Sequence, residues 1–212
     1  MRVAGVDAAL GGWIAVLLED GRFLDAGVFD DFKALMKGIG DVEAIGVDVP
    51  IGLPQEGRRQ ADIDARAFVG VRRSSVFWAP PRGVFDEPDY AAVRARYSGI
   101  SSQSWALRRA ILDVEGFEDD PRVHEVHPEV SFRALAGQEL PFPKRSWNGL
   151  QLRLKLLHEA GIELPPELDI GRVPADDVID AAVVAWTARR VARGEAESLP
   201  SGHEDRIGAI WY

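Results

Sequence analysis

The chain contains no cysteine, which excludes disulfides and any thiolate-based nucleophile or metal site. No apolar run approaches the roughly 20 residues that a bilayer-spanning helix needs. The first residues pass straight into a strand-like pattern without a charged leader and apolar signal core. A cytoplasmic protein with no membrane association is therefore expected. Internal repeats, low-complexity tracts and linker-like stretches are also missing, so the 212 residues are read as one domain, 1–212, long enough to bury a large core. Positive charge is in deficit: 25 Lys and Arg against 34 Asp and Glu leave a formal charge of -9. This argues against a surface coated in positive potential for nonspecific DNA binding. The deficit is uneven, because residues 58–109 hold ten Arg, no Lys and five acids, a local +5 that leaves -14 for the remainder. Such a segment can meet phosphates, or its Arg stems can simply solvate amphipathic helices.

What is present is organised around two similar stretches, Arg2 to Gly12 and Glu43 to Pro50. Each is a short apolar run rich in β-branched residues that ends in Gly-Val-Asp and then breaks at Gly or Pro, the pattern of a buried strand. Two neighbouring parallel strands of this kind bring Asp7 and Asp48 together. Ionised carboxylates out of water need a cation or several donors, and hard oxygen ligands suit Mg²⁺ or Mn²⁺. The alternative is that each Asp caps its own turn.

Val3 to Val6, Trp13 to Leu18 and Phe23 to Phe29 read as an antiparallel meander, with Asp20-Gly21 as a tight-turn signal. A helix follows from Asp30-Asp31 to about Lys37, then the second Asp strand. Residues 55–117 read as an Arg-rich helical insertion. Val123 to His127 is a short strand, Glu129 to Ala136 and Trp147 to Ala160 are helices stopped by Gly137 and Gly161, and the last helix runs from about Asp176, its natural N-cap, to Arg193. Arg206 to Tyr212 could add a final strand. The alternation predicts an α/β layered fold: a mixed five-stranded sheet with flanking helices.

Asp177 and Asp180 share a helical face, and Asp180 lies among Val178, Ile179, Ala181 and Ala182, apolar company in which a carboxylate needs a partner. Glu125 raises the same question in its strand. The catalytic and metal-ligating candidates are thus Asp7, Asp48, Glu125, Asp177 and Asp180, all oxygen donors. Two divalent ions held by such a set activate water and stabilise the leaving oxygen of a phosphodiester without a protein nucleophile. Arg72, Arg73, Ser74 and Ser75 are candidate phosphate contacts or a structural loop. His127 is a candidate substrate contact, with a hydrogen-bonded turn histidine before Pro128 as its ordinary role. Trp78 and Trp105 could stack on an unpaired base, but burial in the core is expected of both.

Several motifs carry a resemblance: Gly5-Val6-Asp7 with Gly11-Gly12-Trp13, Val47-Asp48-Val49-Pro50-Ile51-Gly52-Leu53-Pro54, Arg72-Arg73-Ser74-Ser75-Val76-Phe77, Glu125-Val126-His127-Pro128-Glu129-Val130-Ser131-Phe132, and Asp176-Asp177-Val178-Ile179-Asp180-Ala181. In this order, over nearly the whole chain, the sequence resembles an uncharacterised bacterial and archaeal family of predicted ribonuclease H-like nucleases, in a superfamily that includes Holliday-junction resolvases. The resemblance implies a ribonuclease H-like fold, with the fourth strand beside the first, and a Mg²⁺- or Mn²⁺-dependent nuclease acting on DNA or RNA. By motif position Asp7, Glu125 or Asp48, Asp177 and Asp180 inherit the acidic positions. Two departures stand out. Ala8-Ala9-Leu10 occupies the stretch where family members often carry a Cys and a basic residue, and Asp177 stands where some resolvases have His. The alternative is a noncatalytic nucleic-acid or protein-binding module that keeps the fold; an actin-like ATPase or sugar kinase needs two large lobes, for which this chain is too short. The oligomeric state is left open, a homodimer being one option.

Overall fold

The computed structural model describes residues 1–203 and 205–212. Its first three strands, β1 (Arg2–Ala9), β2 (Gly12–Glu19) and β3 (Arg22–Phe29), form the expected meander. The two connections use two-residue turns with both φ positive, Leu10 at 52° and Gly11 at 80°, Asp20 at 51° and Gly21 at 83°. That geometry matches the right-handed twist of the flanking strands. Asp31 caps α1 (Phe32–Gly38) by accepting from the Ala34 N–H at 2.7 Å. Next, β4 (Ala44–Val47) returns parallel to β1, and β5 (Val123–Glu125) lies parallel to β4, giving the order β3-β2-β1-β4-β5. The chain is therefore α/β, with a five-stranded mixed sheet and eight α-helices among the described residues.

Apolar residues are buried on both faces of the central strands, because helices cover both sides of the sheet. On one face lie α6 (Pro128–Ala136), α7 (Trp147–Glu159) and α8 (Ala175–Ala192), sharing a core with Val3, Ile14 and Val16. On the other, α1 and part of the segment between β4 and β5 cover Ala4, Val6, Ile45 and Val47. That segment is helical: α2 (Gln60–Val69), α3 (Tyr90–Arg96), α4 (Ser102–Ala106), α5 (Arg108–Val114) and three 3-10 turns.

The helix that matters most to the site is α8, and glycine sets its distance from the sheet. A Cβ at Gly5 would fall 2.0 Å from the Ala185 nitrogen and 2.1 Å from the Ala181 carbonyl oxygen. Only a residue without a side chain lets β1 and α8 meet backbone to backbone.

Two expectations about element ends are corrected. The last helix begins at Ala175 after Pro174, so Asp176 is not its N-cap but lies within the first turn, with its carboxylate accepting from Arg145 Nε at 2.8 Å. Pro174 holds the N-cap position with an extended ψ of 142° and makes no side-chain cap hydrogen bond. The C-terminal strand is short: β7 (Ile210–Trp211) pairs with β6 (Ser198–Leu199) in a separate two-stranded sheet and meets the main sheet through a bridge from Trp211 to Val126 and the edge-on contact of the Trp211 ring with His124. Among the described residues, no helix is long and apolar enough to cross a membrane.

Candidate active site

Parallel pairing of β1 with β4 aligns Val6 with Val47, and the Asp48 N–H donates to the Val6 carbonyl at 2.9 Å. The two aspartates therefore emerge side by side from neighbouring strands. Because α8 rides directly on Gly5, its second turn brings Asp180 to the same end of the sheet. Asp7 is 7% exposed and Asp180 2%, while Asp48 is half-buried. All three line one cleft of about 480 Å³ with Lys144, Arg72 and His127, within the size range of ligand sites.

The electrostatics of the cluster follow from burial and like charge. Burial first, then the facing carboxylates of Asp48, Asp180 and Asp177, pushes the Asp7 carboxyl well above the usual carboxylate range, with Lys144 pulling the other way. Asp48 is raised in the same manner, by burial and then Asp180, again against the pull of Lys144. Burial pushes Asp180 up to about 6, even though the Lys144 ammonium bonds to it. Lys144 itself is raised: burial works to lower it, but the charge of Asp180 and the hydrogen bond to it, with Asp48 and Asp7 behind, outweigh that cost. Its Nζ also lies 3.6 Å from Asp176. The one ammonium among these acids does not offset their combined charge.

Glu125 stands apart. Arg59 grips it bidentately, Nη1 donating to Oε2 and Nη2 to Oε1, both at 2.7 Å, and the Ile51 N–H donates to Oε2 at 2.6 Å. The same Arg59 donates to Asp62 at 2.6 Å, and Asp62 accepts from the Ala79 N–H at 2.9 Å. Both carboxylates of this buried network are satisfied. Glu125 thereby ties the segment after β4 to the sheet, and its oxygens are already taken. Asp177 is half-buried and is not among the residues that line the cleft; burial and then the charge of Asp176 raise its carboxyl.

His127 caps α6, its Nδ1 accepting from the Glu129 N–H at 3.2 Å, so the neutral ring carries its proton on Nε2. Burial, followed by the Lys144 charge, lowers its pKa to about 4, so it is a neutral donor at neutral pH. Of the four candidates in the 3-10 turn Gly70–Ser75, Arg72 and Ser75 line the cleft, whereas Arg73 and Ser74 are exposed away from it. Neither Trp78 nor Trp105 is fully buried, contrary to expectation. Aromatic rings in an Arg-rich insertion can be covered by guanidinium groups in place of apolar core, and Arg58 and Arg108 lie over them.

Lys144, Arg59, Asp62 and Glu129 belong to the site and were not anticipated. Glu129 is 4% exposed, lines the cleft, and accepts at Oε1 from Arg153 Nη2 at 2.7 Å, while its Oε2 has no hydrogen-bond partner among the described residues. Its recurrence four residues after Glu125 was the available signal. For Lys144, in the loop between α6 and α7, there was none.

The donors suit a hard divalent cation in kind: buried carboxylate oxygens with uncompensated charge and an open cleft beside them. In arrangement, no three His, Asp or Glu side chains among the described residues enclose a point where an ion could sit, and Lys144 stands among the acids. Mg²⁺ characteristically takes one or two carboxylates, keeps several waters and completes its shell from substrate phosphate, so a set of this size fits it. Two of Asp7, Asp48 and Asp180 could hold it.

In comparison with known proteins, a family model described as "Protein of unknown function (DUF429)" matches residues 5–205. No curated protein and no solved structure matches the chain.

Proposed function

We infer what this chain does from its site, because the chain belongs to the DUF429 family, whose description assigns no activity. The proposal is a Mg²⁺- or Mn²⁺-dependent phosphodiesterase that hydrolyses nucleic acid on a ribonuclease H-like scaffold. One observation carries it: Asp7, Asp48 and Asp180 converge from β1, β4 and α8 on one cleft, where burial, and then the neighbouring acids, raise the affinity of Asp7 and Asp48 for positive charge. The strand order β3-β2-β1-β4-β5, with only β2 antiparallel to its two neighbours, supports the scaffold.

A divalent ion held by these carboxylates supplies Lewis acidity, lowering the pKa of water and neutralising the phosphoryl charge that develops. The chain's own groups do the rest. Arg72 on the cleft wall offers a planar fork for a nonbridging phosphate oxygen. Lys144, on a loop and 32% exposed at its side chain, offers an ammonium to the phosphate once Asp180 is engaged elsewhere. Neutral His127 buttresses the wall by capping α6. Glu125 contributes through Arg59, holding the insertion against the sheet.

The Lys144–Asp180 ion pair favours a second reading, a noncatalytic binding module in which the ammonium is the permanent counter-ion. Incubating wild type and Asp7→Asn with labelled DNA and RNA in Mn²⁺ separates the two. Cleavage lost in a folded variant supports the nuclease. Equal activity in both proteins overturns it, and binding without turnover supports the module.

A further inference from the structure

Beside the acidic cleft lies a second one, of about 520 Å³, whose lining includes Arg58, Trp78, Arg96, Tyr97, Pro81 and Ile100. The two share a wall. Val76 and Phe77 face the acids while Trp78 and Ala79 face the second cleft, and on the facing segment Arg59 reaches the acids while Arg58 reaches the second cleft. Phe77 is exposed and Trp78 half-exposed. Two guanidinium groups lie over the Trp78 ring, Arg58 at 4.0 Å and Arg66 at 4.5 Å from its centroid. They differ in how firmly they are held. Arg66 donates to the Val76 carbonyl, whereas Arg58 is exposed and enters no ion pair among the described residues.

We propose that this second cleft is a binding site for an unpaired nucleotide, so that the substrate of the acidic centre is single-stranded nucleic acid running over the wall from Trp78 to Phe77. The proposal rests on the nuclease reading for what happens at the acids, but not for the binding itself. The Arg58 guanidinium, a flat cation on an indole face, occupies the position of a stacked base. A base arriving there displaces it, and the freed fork turns to the phosphate that follows. Stacking needs a base whose face is open, which a duplex does not present. The local excess of positive charge within residues 58–109 supplies the attraction for the backbone that the rest of the surface lacks.

The test is fluorescence anisotropy of a labelled oligothymidylate and of a matching duplex, with the full chain in EDTA so that nothing is cleaved. Wild type should bind the single strand in preference to the duplex. Trp78→Ala should weaken single-strand binding about five- to hundredfold, the effect of losing one stacked base. Arg58→Gln, a surface change that leaves the fold alone, should flatten the slope of log affinity against log salt by about 0.7, one phosphate contact. Should Trp78→Ala fail to fold, the Arg58→Gln slope decides. Wild-type affinity in both variants, equal affinity for the duplex, or no binding by wild type overturns the proposal. Hydrolysis of bis(p-nitrophenyl) phosphate in Mn²⁺, measured in parallel, reports on the acids alone. Its absence with normal variant effects on binding sinks the nuclease reading and leaves this cleft standing.

Discussion

Asp180→Asn should make the metal-free protein more stable at neutral pH, although it removes a group central to the proposed chemistry. The folded chain pushes the Asp180 carboxyl from its ordinary 3.8 up to about 6. A group raised in this way contributes stability that is fully present below the unfolded value and is lost as pH rises through the folded one. The window is therefore about pH 4 to pH 6. At about 1.4 kcal/mol per pH unit of difference, the ionised folded state carries about 3 kcal/mol of disadvantage above it. Asparagine keeps the shape and cannot ionise, and Lys144 retains Asp176 as a partner at 3.6 Å. In EDTA, urea unfolding of the two proteins should give similar stabilities near pH 4 and a gap that opens to about 3 kcal/mol in favour of the variant by pH 7.5. For a chain of this size that gap corresponds to about 6 to 12 °C in melting temperature. A gap that does not change with pH, or one that closes as pH rises, would refute the claim that burial dominates this carboxylate.

Other substitutions probe the remaining contacts. Arg59→Leu strands the buried carboxylates of Glu125 and Asp62 and should cost about 3 to 5 kcal/mol in urea unfolding; a loss under 1 kcal/mol would show that the network does not hold the insertion to the sheet. Lys144→Met removes the resident cation from among the acids, and calorimetric Mn²⁺ affinity should rise about tenfold or more, equal to about 1.4 kcal/mol. A weaker affinity would mean that the ammonium organises the acids and does not compete for them. Gly5→Ala drives a methyl into the α8 backbone and should destabilise by at least about 1 to 3 kcal/mol, read as a lowered melting temperature; an unchanged one would contradict the close approach of β1 and α8.

Periodicity and turn chemistry made most of the sheet legible. Asp20-Gly21 announced its hairpin, and the β-branched runs ending in Asp7 and Asp48 announced two strands whose pairing follows from the helix between them. These signals are local, so they survive in a single sequence. The partner of Glu125 is 66 residues away along the chain, and no pattern within Val123 to Glu125 distinguishes a carboxylate awaiting a cation from one already gripped by arginine. Lys144 was invisible for a related reason: the loop after α6 has no periodicity, and only tertiary packing carries its ammonium to Asp180. Asp176 was misjudged because Asp is a strong cap former, while Pro174 claimed the helix start on its own account.

The glycine seam between β1 and α8 also bears on time. Asp180 meets Asp7 and Asp48 only when the helix has settled onto bare backbone at Gly5, so the repulsion between its charge and theirs is absent while the helix is still loose. A penalty confined to the docked form hastens escape from it and leaves the rate of arrival alone. Neutralising those charges should therefore lengthen the lifetime of the native protein without making it fold any faster.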